Sequence, residues 1–353
     1  MNKRLYILCE IVDLYSMLYG TLQVNGRGRR IPSTEDRICI QNLPEENCDI
    51  FAVFDGHSGP EVAEITKTVL YKRIQAALKT SGGTPEEIAA MLAREFITHN
   101  KYLASPEVIR TINDSGSTAT LAVVTPTHCI VAYIGDSPCF LMNPENGTII
   151  SQIGKHEPSL ATETARINAA GGFVEVDEAG TARVDGMLAV ARAFGDFSFN
   201  TMKGGALPPE DADWTKMKVT SHPDVVIWER PTKGLLAIMS DGLVETNGNT
   251  MKPLEQVAYD IYSGLAVNNN LGACVKHVLQ KHVEDSVRGT RRRYDGDDLS
   301  LIVVDVGRGG EVSQEGGSAH LGPMIEHKPL TRKTKLRRKK TAKKNRLIKI
   351  FSC

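Results

Sequence analysis

"FAVFDGHSGPEVAE", residues 51–64, runs four apolar-rich positions into Asp55-Gly56-His57 and then, past Pro60, into a helical pattern. The apolar run reads as a buried strand, and a carboxylate at its end must be ionised, paired or bound to a cation, because burying it bare is prohibitively costly. Which other residues could satisfy Asp55 is therefore the question that the rest of the chain has to answer.

Several further short runs rich in Val and Ile read as strands: 49–54, 118–125, 129–135, 234–240 and 299–306. Between them lie helical patterns. Residues 61–78 bring Val62, Ile65, Val69 and Ile74 close to one face, and residues 85–102 follow a Thr84 cap with Pro85 in the first turn. Strands 118–125 and 129–135 are joined by "PTH", too short for a parallel crossover, so they form an antiparallel hairpin. The pattern points away from a doubly wound parallel sheet and predicts an α+β fold of stacked antiparallel sheets. Residues 200–222 lack periodicity and read as an irregular surface excursion. "GRGGEVSQEGGSAHLGP" reads as a linker, so the folded unit is expected to stop near Val306.

With 353 residues, 41% of them apolar, the chain has material for a sizeable core. Its net charge of zero hides a division: twelve of the 42 Lys/Arg lie in residues 327–353, which contain no acid, leaving 30 basic against 42 acidic residues in 1–326. An acidic body argues against nucleic-acid binding by the domain itself and suits a site that collects cations. Seven scattered cysteines with no C-x-x-C fit a reducing compartment. The opening "MNKRLYILCEIVDLYSMLYG" has the basic start and apolar run of a signal sequence, but Glu10 and Asp13 interrupt it and no window reaches a membrane span.

The strand ends carry the chemistry. Strand 49–54 ends in "DGH" (55–57), 129–135 in "GDS" (135–137) and 234–240 in "SDGLVE" (240–245), while "DGDD" (295–298) precedes the last strand. One Asp-Gly after a strand is ordinarily a turn. Four acidic clusters on strands that can bring their ends to one edge point instead to cations among them, since converging carboxylates otherwise repel. Oxygen ligands without Cys/His pairs select hard ions, Mg²⁺ or Mn²⁺, over Zn²⁺.

These motifs, with "TEDR" (34–37), "SGSTAT" (115–120), "RINAAGG" (166–172), "LAVARAFGD" (188–196) and "DDLSLIVV" (297–304), occur in an order that resembles the metal-dependent (type 2C) serine/threonine protein phosphatases over residues 19–306. The resemblance implies a β-sandwich of two antiparallel sheets flanked by α-helices, with a binuclear metal centre at one edge. It sets the catalytic domain at 19–306 after an N-terminal extension (1–18), and composition makes 307–326 a flexible linker and 327–353 a basic, disordered tail.

Carried over residue by residue, it makes Asp55 the carboxylate bridging two Mg²⁺ or Mn²⁺ ions and the Gly56 carbonyl a further ligand. Asp241 and Asp297 complete one shell, Glu35 and Asp36 act mostly through bound waters, and Asp136 and Glu245 align with acids that hold a weaker third ion in some members. The implied activity is hydrolysis of phosphoserine and phosphothreonine in protein substrates by direct attack of a hydroxide shared by two ions. His57 becomes the proton donor to the leaving oxygen, and an arginine fork holds the phosphate.

The arginine departs from the pattern. The family places it four residues before the Glu of "ED", where this chain has Ile31; Arg30 stands one residue earlier and Arg29 is a substitute. Asp298 stands where many members have Asn, Pro138 where members often have Arg, and Lys155 in place of a frequent Asp. The alternative to an active enzyme is a pseudophosphatase serving as a binding module, which lost metal carboxylates would betray. "SGSTAT" is expected to pack a strand tightly without chemistry, and "RGTRRRY" (288–294) to be a solvated loop. The tail "KTKLRRKKTAKKNR" (333–346) fits an import receptor, a polyanion or an anionic membrane. A monomer in the cytoplasm, the nucleus or both is the corresponding expectation.

Overall fold

A computed structural model describes residues 8–10, 19–24, 34–81, 83–202, 205–246, 250–268, 270–287 and 296–308. Arg30, "RGTRRRY", the segment from 309 onward and the basic tail lie outside the described residues. Among the described residues no helix is long and apolar enough to cross a membrane.

Eleven strands form the two main sheets: β1 (Leu8–Glu10), β2 (Tyr19–Val24), β3 (Arg37–Leu43), β4 (Cys48–Phe54), β5 (Ala119–Val124), β6 (His128–Ile134), β7 (Cys139–Met142), β8 (Ile149–Gln152), β9 (Asp224–Glu229), β10 (Leu235–Met239) and β11 (Leu299–Asp305). One sheet runs β1-β2-β11-β10-β7-β8 and the other β9-β6-β5-β4-β3, with antiparallel pairing between neighbours. Helices α1 (Glu61–Leu78) and α2 (Pro85–Leu103) cover the second sheet, and α4 (Leu254–Asn268) and α5 (Leu271–Val287) cover the first; α3 (Ala161–Ala169) lies in the excursion between β8 and β9.

Strand β4 is buried at every position because it is covered on both faces. Its alternation sends Ile50, Ala52 and Phe54 toward α1 and α2, and Phe51 and Val53 into the layer between the sheets. Strand β11 divides likewise, Leu299, Leu301 and Val303 under α4 and α5, Ile302 and Val304 between the sheets. The predicted sandwich and its β5/β6 hairpin are what the chain forms. Thr84 makes a full capping box at α2: its hydroxyl accepts from Glu87 N–H at 3.2 Å, and the Glu87 carboxylate accepts from Thr84 N–H at 3.1 Å.

The excursion 200–222 is irregular as expected but is not only surface. Trp214 packs into the α1/α2 core and Val219 into a small cluster with Ile167 and Val184. A run without periodicity can still bury single large side chains, which a pattern search cannot detect.

Register decides where the acids meet. Arg37 pairs with Phe54, Val53 with Thr120 and Ala119 with Ile134, so the start of β3, the end of β4, the start of β5 and the end of β6 share one edge of their sheet. In the other sheet Met239 pairs with Leu301 and Leu299 with Val24, which brings together the end of β10, the start of β11 and the end of β2.

Candidate metal centre

Five of these seven strand ends carry an acid. Asp55 follows β4, Asp136 follows β6, Asp241 opens a single 3₁₀ turn (Asp241–Leu243) after β10, Asp297 and Asp298 precede β11, and Glu35 and Asp36 precede β3. Asp55 is held by the segment beside it: its N–H donates to Thr118 Oγ1 at 3.3 Å and its carbonyl accepts from Thr118 N–H at 2.9 Å. The Thr118 hydroxyl in turn lies 2.6 Å from Ser137 Oγ, tying the Asp55 and Asp136 loops together. "SGSTAT" thus packs tightly, as expected, but it also braces the acid that the chemistry needs.

Two glycines permit the crowding. A Cβ on Gly56 would stand 2.6 Å from the Glu35 carbonyl oxygen, and one on Gly242 would stand 2.2 Å from that of Asp298. The Glu35–Asp36 loop is pinned from three sides. Glu35 N–H donates to Asp298 Oδ2 at 2.7 Å, Glu35 Oε1 accepts from Gly59 N–H at 2.7 Å, and Asp36 Oδ2 accepts from Ser300 Oγ at 2.7 Å. Arg37 donates to the carbonyls of Thr34 (2.6 Å) and Asp36 (2.7 Å) and pairs with Glu64 on α1.

The electrostatics record the convergence. Burial, and after it the charges of Asp36, Asp241, Asp136 and Asp297, push the Asp55 carboxyl well above the ordinary range. Asp36 is pushed up to about 7 by burial, against hydrogen bonds from Ser300 and Ser240 and with repulsion from Asp298. Burial also raises Asp136, and Lys155 offsets part of that. Acids in this situation are relieved by protons or by cations.

The donor set fits a hard divalent ion, being all oxygen and carrying several negative charges. Among the described residues no three His, Cys, Asp or Glu side chains close on one point as a finished cage. Mg²⁺ keeps several waters and takes one or two carboxylates directly, so a spread set of acids is compatible with it.

His57 sits in a separate three-stranded patch, Gly56–His57, Gly116–Ser117 and Phe194–Gly195. There its Nε2 lies 2.8 and 2.9 Å from the two oxygens of Asp196. Burial alone would lower the imidazole, but the Asp196 carboxylate outweighs it, with Asp136 and Glu35 adding, so the ring is held above its ordinary value.

Of the residues expected in the site, Asp36, Asp55, Asp136, Asp241 and Asp297 are brought within mutual electrostatic reach, with Gly56, Glu35 and His57 beside them. Glu245 is placed only through its backbone, in the two-residue strand Glu245–Thr246. Sequence reasoning quoted the motifs that contain Asp196, Thr118, Ser240 and Ser300 but gave these four residues no role in the site. Asp196 carries the same signal as the others, an acid directly after a strand, but that strand is only Phe194–Gly195 and leaves no apolar run to see.

The sequence profile described as Protein phosphatase 2C matches residues 23–250. Protein phosphatase ppm-1.A of Caenorhabditis elegans is 30% identical over 283 residues, which span 76% of this chain and 54% of that protein. Protein phosphatase 1B of Mus musculus is 27% identical over 302 residues, 82% of this chain and 70% of the mouse protein. The chain thus spans about half the length of the worm relative. Among solved structures, a phosphatase from a pathogenic strain of Toxoplasma gondii matches with a TM-score of 0.63 at 23% identity, covering 86% of this chain and 95% of that one, which shows the fold. On the profile match, joined to the sandwich and its acidic edge, this chain belongs to the protein phosphatase 2C family.

Proposed function

We propose that the chain is a protein serine/threonine phosphatase, hydrolysing phosphoserine and phosphothreonine with two Mg²⁺ or Mn²⁺ ions. The observation that carries this reading is the convergence of Asp36, Asp55, Asp136, Asp241 and Asp297 at one edge of the sandwich. Asp55, Asp241, Asp297 and the Gly56 carbonyl would hold the ions directly, with Glu35 and Asp36 reaching them through water. Bound there, the ions would supply an activated water near neutral pH and neutralise charge on the phosphoryl group.

The chain's own residues do the rest. The hydrogen bonds of Ser300 and Ser240 and the backbone contacts of Arg37 keep the Asp36 loop in place, so its carboxylate is oriented before ions and substrate arrive. His57, held by Asp196, carries the proton that the leaving seryl or threonyl oxygen requires. Arg30, outside the described residues, is the candidate for the phosphate fork, on its place in the sequence alone.

Initial rates on a phosphothreonine peptide, with Mn²⁺ or Mg²⁺ and with excess EDTA, test the reading. Turnover that needs the metal and falls at least about tenfold in Arg30→Ala is the expected result. Folded protein that turns over nothing with either ion would instead leave a pseudophosphatase.

A further inference from the structure

We propose that Asp196 is a positioning residue for the hydrolysis: it clamps His57 by Nε2, so that Nδ1 is the ring nitrogen presented to the leaving oxygen. The inference rests on the reading of His57 as proton donor and adds the group that decides which nitrogen does that work.

The contact is built. Asp196 is 3% exposed, and both of its oxygens lie within 2.9 Å of Nε2. Nδ1 has no hydrogen-bond partner among the described residues. The backbone delivers the pair through one spacer, since His57 and Gly195 both pair with Gly116. A Cβ on Gly116 would lie 2.2 Å from Asp196 Oδ2 and 2.2 Å from His57 Nε2, so carboxylate and imidazole meet in the space that a side chain there would take from them.

Asp196 itself adopts the left-handed conformation, at φ 50° and ψ 38°, a region costly for a residue with a Cβ and one that surrounding bonds must hold. Those bonds are present. Asp196 N–H donates to the Ser115 carbonyl at 3.2 Å, and the preceding Gly195 N–H donates to Asn100 Oδ1 of α2 at 3.0 Å. A carboxylate accepting from one ring N–H fixes the tautomer and the ring plane together. The donating form is the imidazolium, whose Nδ1–H passes to the leaving oxygen, and the neutral ring left behind keeps its proton on Nε2 and a lone pair on Nδ1. Without Asp196 the ring can turn over and present either nitrogen.

The test compares Asp196→Ala, Asp196→Asn, His57→Gln and the double variant Asp196→Ala/His57→Gln on a phosphothreonine peptide and on 4-nitrophenyl phosphate. A phenolate leaves with little help from a proton and an alkoxide does not, so a donor's loss shows on the peptide. Asp196→Ala is expected to lower kcat on the peptide at least about tenfold and on the aryl ester less than about threefold, with the double variant no slower than His57→Gln alone. Asp196→Asn, which keeps an acceptor for Nε2–H, should recover part of the peptide rate.

Equal losses on the two substrates in Asp196→Ala, or losses that multiply in the double variant, would overturn the proposal. If His57→Gln itself loses both activities equally, the donor reading fails and the inference with it. A readout independent of turnover separates the two: long-range ¹H–¹⁵N spectra of the full chain in Mg²⁺ should show neutral His57 as the Nε2–H tautomer, and mixed tautomers in Asp196→Ala. An Nδ1–H tautomer in the unsubstituted protein would sink the clamp whatever the rates.

Discussion

Ser300, the second residue of β11, donates its hydroxyl to Oδ2 of Asp36 at 2.7 Å, and the same hydroxyl accepts from Gln23 Nε2 at 3.0 Å. A strand of one sheet therefore orients an acid at the edge of the other, and the acid, 1% exposed, has little freedom to turn away. Outer partners of this kind set metal affinity more than chemistry. Ser300→Ala should raise the Mn²⁺ concentration for half-maximal activity about tenfold while kcat at saturating metal changes less than about threefold. A rate-versus-Mn²⁺ titration checks both, and unchanged metal dependence would detach Asp36 from the ions.

Asp55 is the most crowded of the acids, raised by burial and then by four carboxylates. Removing its charge should abolish metal-dependent turnover, and it should also relieve repulsion in metal-free protein. We expect Asp55→Asn in EDTA to melt at or above the unsubstituted chain, and Mn²⁺ to raise the melting temperature of the latter alone. Asp241→Asn should behave in the same way. Retained turnover in either variant, seen in the peptide assay, would refute the metal assignment.

Glu163 supports the site from further off. It is 2% exposed on α3, and its carboxylate takes Arg166 at 2.6 Å and Arg192 at 2.6 Å. Burial pulls its carboxyl upward, but the two guanidiniums win and hold it below the ordinary range. Arg166 also binds the carbonyls of Ala191 and Lys218, and Arg192 binds Asp224, so one acid fastens α3 to the segment leading to Asp196. Glu163→Ala leaves both arginines without their buried partner and should cost about 3–5 kcal/mol. Urea denaturation reads it directly; a loss below about 1 kcal/mol would mean that solvent takes over the pairing.

Much of this was legible in the sequence because β4, β5, β6, β10 and β11 are buried on both faces and so appear as apolar runs, all but β5 with an acid at one end. Strand β9 was not, since at the half-exposed sheet edge its apolar run is cut to the four residues Val225–Trp228 by a charge at each end. Helices α4 and α5 lie between the motifs that end at Glu245 and begin at Asp295 and carry none of their own, so only their packing on β2 and β11 gives them a place. The hydrogen bonds that orient the acids, Ser300 to Asp36 and Thr118 to Asp55, link residues 264 and 63 positions apart, and no local pattern encodes them.

Two buried histidines away from the metal-site acids make a separable part of the pH dependence of stability. His99 is fully buried on α2, 3.0 Å from Thr66 Oγ1 and edge-on to Phe194; burial, with Arg73 adding, lowers it to about 3. His282 on α5 is lowered to about 4 by burial and then by Lys252. Both folded-state values lie below the unfolded value near 6.5, so on acidification the unfolded chain takes up these protons first. Their contribution is complete above about pH 7 and is lost as pH falls from there toward 4 and 3, at about 2 kcal/mol for each by pH 5. Asp36 and Asp55 act in the opposite sense in metal-free protein, since their raised values favour proton uptake by the folded chain, and a single stability curve would mix the two. The difference between His99→Gln and the unsubstituted chain isolates one histidine. Urea unfolding in EDTA should show the variant gaining about 2 kcal/mol relative to the parent between pH 7 and pH 5. A difference that stays constant across that interval would mean that His99 is protonated within the fold, and the neutral, Thr66-bonded ring would have to be abandoned.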